Sequence, residues 1–257
     1  MNRIVTPSRD PADDHTLPWF PSDAAPTVDP TQRPPRRGWL RRLAGLAVKL
    51  FVAYYVFCVV LLVVYRFVSP PVTGVQLQRR LEATFAGRSY SPIVHDVPLS
   101  AMSPHVAKAV VAAEDGRFWT HRGYDFKEMG LAGRGVVDGT RMRGASTITQ
   151  QLVKNLFGCA CRNPIRKVYD LTLTPAAELI LGKKRILELY LTEVEWGDGI
   201  WGVDAAARHH YGVGARGLTR SQAAGLAALL PNPRRRTPAN TGEYRRDILR
   251  RMRSRGW

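Results

Sequence analysis

The sequence predicts a mostly α-helical protein with one N-terminal transmembrane helix. A long apolar segment lies near the N-terminus, helix-capping signals recur along the rest of the chain, and almost no alternating strand pattern occurs after residue 75. The chain has 257 residues, of which 45% are hydrophobic. That is enough to bury one core, so we expect one domain with appendages.

The apolar segment predicts a membrane anchor over residues 43–68. Residues 50–65 carry no charge, and the apolar run extends towards the N-terminus past Lys49. A spanning helix needs about 20 apolar residues, and Lys49 and Arg66 can extend towards the headgroups at its two ends. No small-residue cleavage site follows, so the sequence indicates an uncleaved anchor.

The residues before the anchor predict a cytoplasmic tail. Residues 1–42 are rich in Pro, Asp and Thr without periodicity, which is typical of a disordered segment. Arginines crowd the end of this tail beside the anchor. The positive-inside rule therefore places residues 1–42 in the cytoplasm and the domain over residues 75–257 outside it.

The charge of the chain indicates an anionic partner. Its formal net charge is +17, of which the tail contributes only +2. An acidic membrane surface or a phosphorylated substrate fits this excess. Nucleic acid does not, because the basic part faces away from the cytoplasm and no aromatic residues alternate with the arginines. The three cysteines, Cys58, Cys159 and Cys161, predict neither a metal site nor a disulfide framework.

Capping signals predict several helices in series. Ser103 is an N-cap before the N1 proline Pro104, so a helix begins there and runs towards Glu114. Residues 186–191 belong to a further helix, which a glycine-rich segment ends. A capping box at residues 219–222 begins another helix, which two prolines end.

The last predicted helix covers residues 243–253. Tyr244, Ile248 and Met252 form one stripe on it, and arginines occupy the other faces. These arginines predict either docking on anionic lipid headgroups or an ordinary solvated face.

The segment over residues 144–157 predicts an amphipathic helix that carries a binding site. Ile148, Leu152 and Leu156 form an inward stripe, and Ser146 is the expected N-cap. The opposite face has a hydroxyl, two amides and an ammonium, from Thr147, Gln150, Gln151 and Lys154. Near a positive helix end these groups suit a phosphorylated or highly hydroxylated ligand.

Glu114 is the candidate general base. It ends a helix whose preceding residues are small or apolar, and burial there raises a carboxyl pKa towards the range useful for a base. A surface glutamate without a role is the equal alternative from this segment alone. His121 fits a structural hydrogen bond better than a metal ligand or a base. Glu178 and Glu188 have basic neighbours, which predicts structural salt bridges.

Four charges follow the amphipathic helix: Arg162, Arg166, Lys167 and Asp170. A solvated helix face is the usual explanation of such a run. Together with Lys154, however, the three cations would suit a pyrophosphate leaving group.

These motifs, in this order, resemble the peptidoglycan glycosyltransferase family. The matching residues are Glu114-Asp-x-x-Phe118-x-x-His121-x-Gly123, Gly144-x-Ser-Thr-Ile-Thr-Gln-Gln-x-x-Lys-Asn155, Arg166-Lys167-x-x-Asp170 and Ile186-Leu-Glu-x-Tyr-Leu191 with its glycine-rich continuation. The resemblance covers residues 98–238. The segments Trp196-Gly-Asp-Gly-Ile200 and Leu230-Pro-Asn-Pro-Arg234 are similar to the monofunctional biosynthetic transglycosylases in particular.

The resemblance implies a lysozyme-like helical domain at the periplasmic face of the inner membrane. Its substrates would be lipid II and the lipid-linked glycan, and cell-division or other cell wall synthesis proteins would be possible partners. Glu114 and Asp170 would be the catalytic carboxylates, with a divalent Mg²⁺ or Mn²⁺ ion as an optional cofactor that no motif requires. Substrate contacts would come from Asp115, Phe118, His121, Ser146, Thr147, Gln150, Gln151, Lys154, Asn155, Arg162, Arg166 and Lys167.

Two positions depart from the family pattern. Asp170 stands where the family has a glutamate, so the carboxylate keeps its charge but loses about 1.5 Å of reach. Thr192 stands where the family has an asparagine, which we interpret as a structural change. The chain has no Ser-x-x-Lys or Lys-Thr-Gly motif of a transpeptidase.

The resemblance thus implies an enzyme that polymerises lipid II into linear glycan strands by inverting β-1,4 transfer, releases undecaprenyl pyrophosphate and has no transpeptidase activity. Two other functions compete with this glycan polymerisation. A lytic muramidase would share the fold and use one glutamate as a general acid, but the cations have no use with a neutral leaving group. An inactive scaffold would recruit partners through its anchor.

Overall fold

The computed structural model describes residues 37–130, 146–158 and 164–257, without the side chains of residue 37 and of residues 164–166. Helices dominate these residues, as the sequence predicts. Eight are numbered here: α1 Arg37–Tyr65, α2 Gly74–Phe85, α3 Pro104–Glu114, α4 Ile148–Phe157, α5 Pro164–Glu193, α6 Val203–Tyr211, α7 Arg220–Ala227 and α8 Gly242–Ser254. Leu99–Ala101 and Ala215–Gly217 are 3-10 turns.

Three short strands form a small sheet that the sequence did not predict. They are β1 Ile93–Val94, β2 Glu195–Gly197 and β3 Ile200–Trp201. The central strand β3 pairs in parallel with β1 and antiparallel with β2. The glycine-rich segment after α5 was expected only to end a helix, but it forms the β2–β3 hairpin. Gly199 has a φ of 73° there, which glycine adopts without steric cost.

Helix α1 is long and apolar enough to cross a membrane over Gly38–Tyr65, and it is the only such helix in the described ranges. It begins before the expected residue 43, because the arginines that precede the apolar run are also helical. Its last turns, within the compact unit Lys49–Trp257, pack on the domain. The Tyr54 hydroxyl donates to the Phe157 carbonyl at 2.7 Å, and Arg185 Nε donates to the Tyr65 carbonyl at 2.9 Å.

The core is built around α4. Ile148 and Leu152 are fully buried, and Leu156 nearly so, which confirms the inward stripe expected from the sequence. Helix α4 packs chiefly against α5, while α3 packs against α7 and α8. The C-terminal end of α3, the N-terminal end of α4 and α8 therefore border one common space.

Helix α5 changes direction at Gly182. This residue has a φ of 71° and a ψ of 160°, a conformation essentially restricted to glycine. The second half of the helix carries five buried residues: Ile186, Leu187, Leu189, Tyr190 and Leu191. The interruption therefore sets how the two halves of α5 approach the core.

Candidate active site

Glu114 is the last residue of α3. The N-cap hydroxyl of Ser103 accepts a hydrogen bond from the amide of His105, and the hydroxyl donates to the Leu218 carbonyl at 2.8 Å. Val110 and Val111 are buried one turn before Glu114. The expected helix start and apolar wall are both present, and they carry the Glu114 side chain to the edge of a cleft.

The surroundings of Glu114 suit a general base. Its side chain is half-buried, and Gln151 Nε2 donates to its Oε2 at 2.9 Å. Burial raises the pKa of the Glu114 carboxyl above its usual range, while the Gln151 hydrogen bond and the charges of Lys154 and Arg236 oppose that rise. A carboxylate of this kind accepts a proton more readily than a solvated one does.

Tyr190 fixes the orientation of the Gln151 amide. The Tyr190 hydroxyl donates to Gln151 Oε1 at 2.8 Å, so the amide nitrogen points towards Glu114. Tyr190 is 1% exposed and comes from the second half of α5. A chain of two hydrogen bonds thus connects the core to the candidate base.

The N-terminus of α4 differs from the sequence expectation. Thr147, rather than Ser146, is the N-cap, and it forms a capping box with Gln150. The Thr147 hydroxyl accepts from the Gln150 amide at 3.3 Å, and Gln150 Oε1 accepts from the Thr147 amide at 3.2 Å. Reciprocal capping satisfies two backbone donors, and it uses polar atoms that were expected to hold a ligand.

Asp115 joins the end of α3 to the start of α4. Its carboxylate accepts from the Ile148 amide at 3.0 Å and from His121 Nε2 at 2.9 Å. The amide of Gly123 donates to His121 Nδ1 at 3.1 Å, so the Nε2 atom carries the proton. Asp115 and His121 are both buried. The structural role expected for His121 is therefore present.

A metal ion does not fit this cluster well. Asp115, His121 and Asp125 offer ligand atoms within 4.8 Å of one another. Both nitrogens of His121 are already in hydrogen bonds, and Asp125 Oδ1 accepts from Arg117 and from two backbone amides. A ligating histidine needs one free lone pair. Asp125 Oδ2 has no hydrogen-bond partner among the described residues, but His121 could bind an ion only by giving up one of its two hydrogen bonds.

The cleft beside Glu114 has a volume of about 880 Å³, within the size range of ligand sites. Six of the sequence-predicted site residues line it: Glu114, Asp115, Ser146, Thr147, Gln151 and Lys154. Lys167 is exposed nearby, and its Nζ atom donates to the Ser146 hydroxyl at 3.2 Å. The structure therefore brings the predicted base together with two of the predicted cations.

Other predicted site residues lie elsewhere. Phe118, Gln150, Asn155 and Asp170 are buried outside the cleft lining. The Asp170 Oδ1 atom lies 3.5 Å from the point that a Cβ on Gly158 would occupy, at the C-terminal end of α4. Arg162 and the side chain of Arg166 lie outside the described residues. The catalytic role of Asp170 stays a prediction.

The far wall of the cleft was missed by sequence reasoning. Leu230 and Pro231 contribute to it, together with four residues of α8 and its end: Tyr244, Arg251, Ser254 and Arg255. The buried stripe of α8 is as expected, since Ile248 and Met252 are fully buried. Tyr244 and Arg251 are seven residues apart, a spacing that places them on the same face of a helix. This seven-residue spacing could have predicted from the sequence that the two side chains share a face of α8.

Comparisons with known proteins agree with the geometry. The transglycosylase family model matches residues 83–253. A biosynthetic peptidoglycan transglycosylase of Pseudomonas fluorescens (strain SBW25) is 44% identical over 176 residues, covering 68% of this chain and 73% of that protein. Relatives of the same name from Rhodospirillum centenum and Chromohalobacter salexigens are 43% and 42% identical, covering 82% and 81% of this chain and 87% and 89% of their own lengths. The chain belongs to the transglycosylase family, and it is a peptidoglycan glycosyltransferase.

Proposed function

We propose that the enzyme polymerises lipid II into linear glycan strands by β-1,4 glycosyl transfer with inversion, and that it has no transpeptidase activity. The observation that carries the proposal is the half-buried Glu114 carboxylate, with a raised pKa, in a cleft that also contains Lys154. A base and a cation in one cleft are the two requirements of this reaction.

In the proposed step Glu114 takes the proton of the acceptor sugar's 4-hydroxyl. The hydroxyl oxygen forms a bond to the anomeric carbon of the donor from the face opposite the leaving group. The bond from that carbon to the phosphate oxygen breaks, and its electron pair leaves on undecaprenyl pyrophosphate. Gln151 holds the carboxylate in place before the proton moves, because its amide donates to Oε2.

The departing pyrophosphate is the proposed partner of the cations. Lys154 lines the cleft, and Lys167 lies beside its rim at Ser146. Arg162 and Arg166 would join them, and Asp170 would act as the second carboxylate. Positive groups fixed near the leaving oxygen stabilise the charge that develops in the transition state. A divalent Mg²⁺ or Mn²⁺ ion would supply further positive charge to the pyrophosphate, and the Asp115 cluster is not proposed to hold it, because both His121 nitrogens are in hydrogen bonds.

The apolar helix α1 supports attachment to the inner membrane. We propose that its N-terminal side faces the cytoplasm and that the catalytic domain faces the periplasm, because arginines crowd the N-terminal side. Lipid II and the lipid-linked glycan would then reach the cleft from the membrane. Cell-division or other cell wall synthesis proteins are proposed partners, and nucleic acid is not.

Product analysis separates the proposed activity from hydrolysis. Purified full-length protein in detergent is incubated either with lipid II or with finished glycan strands. New polymer that a muramidase digests supports the proposal. Shortening of the finished strands without polymer formation would show a lytic enzyme. Absence of both reactions, together with normal cell wall growth in cells that carry Glu114→Gln, would favour a scaffold.

A further inference from the structure

The end of the helix that carries Glu114 is held by the C-terminal helix α8. Arg251 Nη1 donates to the carbonyl of Ala112 at 3.3 Å and to the carbonyl of Ala113 at 3.4 Å. The Tyr244 hydroxyl donates to the Ala113 carbonyl at 3.2 Å. Two side chains that lie more than 130 residues further along the chain therefore contact the last turn of α3.

These carbonyls are the ones that a helix end leaves without backbone partners. The Asp115 amide already bonds to the Val111 carbonyl, so the carbonyls of Ala112 and Ala113 come next in the last turn. Arginine near a helix C-terminus also interacts favourably with the negative end of the helix dipole. Arg251 thus supplies both a hydrogen-bond donor and a charge where the helix needs them.

The two α8 residues support one another. The Arg251 guanidinium lies 5.9 Å from the centre of the Tyr244 ring, within the range of a cation–π contact. Among the described residues no carboxylate forms a salt bridge with Arg251, and the hydrogen bonds recorded there for its guanidinium go to α3. The residue after α8, Arg255, also reaches Gly116, where a Cβ would clash with its Nη2 atom.

We propose that Arg251, together with Tyr244, is a positioning residue for Glu114. By capping the last turn of α3, the pair holds the Glu114 carboxylate where it meets Gln151 and the acceptor hydroxyl. Loss of the cap lets this turn open and moves the carboxylate, and a displacement of about 1 Å costs up to about 100-fold in rate. The inference rests on the proposed role of Glu114 as base.

The competing possibility is that Arg251 binds substrate, since it also lines the cleft. The two roles differ in steady-state kinetics. A positioning residue lowers kcat and leaves KM nearly unchanged, because it does not contact lipid II. A residue that binds substrate equally in the ground state and the transition state raises KM and leaves kcat unchanged.

The test compares Arg251→Ala, Arg251→Lys and Tyr244→Phe in the full-length protein with lipid II. Arg253→Ala is the matched control, because it removes one exposed charge from the same helix. We expect Arg251→Ala to lower kcat by about 10- to 100-fold with KM within about threefold. Arg251→Lys should recover part of the rate, and Arg253→Ala should match the wild type.

Hydrogen exchange gives a readout that needs no substrate. Amide exchange in the peptide covering residues 111–118 should be faster in Arg251→Ala and Tyr244→Phe than in Arg253→Ala. Tyr244→Phe carries the test if Arg251→Ala does not fold, since it removes a single hydroxyl. Unchanged kcat and unchanged exchange in these variants, while the wild type polymerises lipid II, would overturn the inference. So would a change confined to KM. A wild type that makes no polymer would instead refute the proposed function.

Discussion

The side-chain amide of Gln151 donates a 2.9 Å hydrogen bond to the Glu114 carboxylate, and Tyr190 holds that amide in the donating orientation. The bond favours the charged form of Glu114 and opposes the effect of burial on its pKa. Burial is therefore the largest influence on the Glu114 pKa, and the Gln151 hydrogen bond is the largest of those that oppose it.

Replacing Gln151 with methionine should move the acid limb of the pH–rate profile to higher pH. The substitution removes a hydrogen bond that lowers the Glu114 pKa, so that pKa rises further. A general base works only when deprotonated, so activity is lost at a higher pH than in the wild type. The measurement is kcat/KM for lipid II polymerisation across pH.

Tyr190→Phe is the companion variant. It keeps Gln151 but frees its amide to rotate, so we expect a smaller shift in the same direction. An acid limb that stays in place in both variants, or that moves to lower pH, would contradict this account of the Gln151 contact.

Asp115→Asn should destabilise the protein because it disrupts buried hydrogen bonds, and not because it removes a metal ligand. Asparagine replaces one carboxylate oxygen with an NH₂ group, which faces the His121 Nε2–H at the Oδ1 position or the Ile148 N–H at the Oδ2 position, so at least one buried N–H lacks an acceptor. A buried donor left without a partner costs about 1–3 kcal/mol in the free energy of unfolding. Thermal unfolding measures this loss. A chelator should leave the wild-type Tm unchanged, whereas a chelator-dependent fall would show that the cluster binds a structural metal.

Because the Glu193 carboxyl is buried, we expect the free energy of unfolding of the protein to depend on pH. Burial raises the pKa of its carboxyl to about 8, with the nearby Asp96 adding to the rise and Arg185 opposing it. An unfolded glutamate releases its proton near pH 4.5. Between these values the folded state holds a proton that the unfolded chain has lost, so the free energy of unfolding falls as pH rises.

Glu193→Gln should remove that fall and raise Tm at pH 8 relative to the wild type. Glu243→Gln, an exposed change on α8, is the control and should keep the wild-type pH dependence. Thermal unfolding between pH 5 and pH 8 measures both. If Glu193→Gln lowers Tm at pH 8, the carboxylate is charged and stabilising, contrary to this prediction.

Gly182→Ala should destabilise the interruption of α5. No atom outside the local chain lies within 4 Å of a Cβ placed there, so the cost comes from the backbone conformation alone, about 1–3 kcal/mol. Gly242→Ala is the control, because that position is also open but lacks a positive φ. Equal unfolding temperatures for the two variants would contradict this explanation.

Much of the fold follows from local sequence signals. The start of α3 at Ser103 and Pro104, the capping box at Thr219 and the inward stripe of α8 were all predictable, because caps and periodicity act over a few residues. The β2–β3 hairpin was not, since its strands have two or three residues and depend on pairing with residues near position 93.

The candidate site was predictable only in part. Glu114, Gln151 and Lys154 meet in the cleft as expected, because the ends of α3 and α4 come together. The three-residue spacing of Thr147 and Gln150 is typical of a capping box, but the sequence analysis assigned both residues to ligand binding. The contact of Arg251 with α3 joins distant parts of the chain, so it required the packed structure.

The rate of glycan polymerisation by Glu114→Gln tests the central claim most directly. The substitution keeps the shape of the side chain but removes its capacity to accept a proton, so initial rates with lipid II should fall by at least about 100-fold. Glu243→Gln, changed in the same way on the exposed face of α8, should retain the wild-type rate. A Glu114→Gln enzyme that polymerises lipid II at the wild-type rate would contradict the assignment of the base and the mechanism built on it.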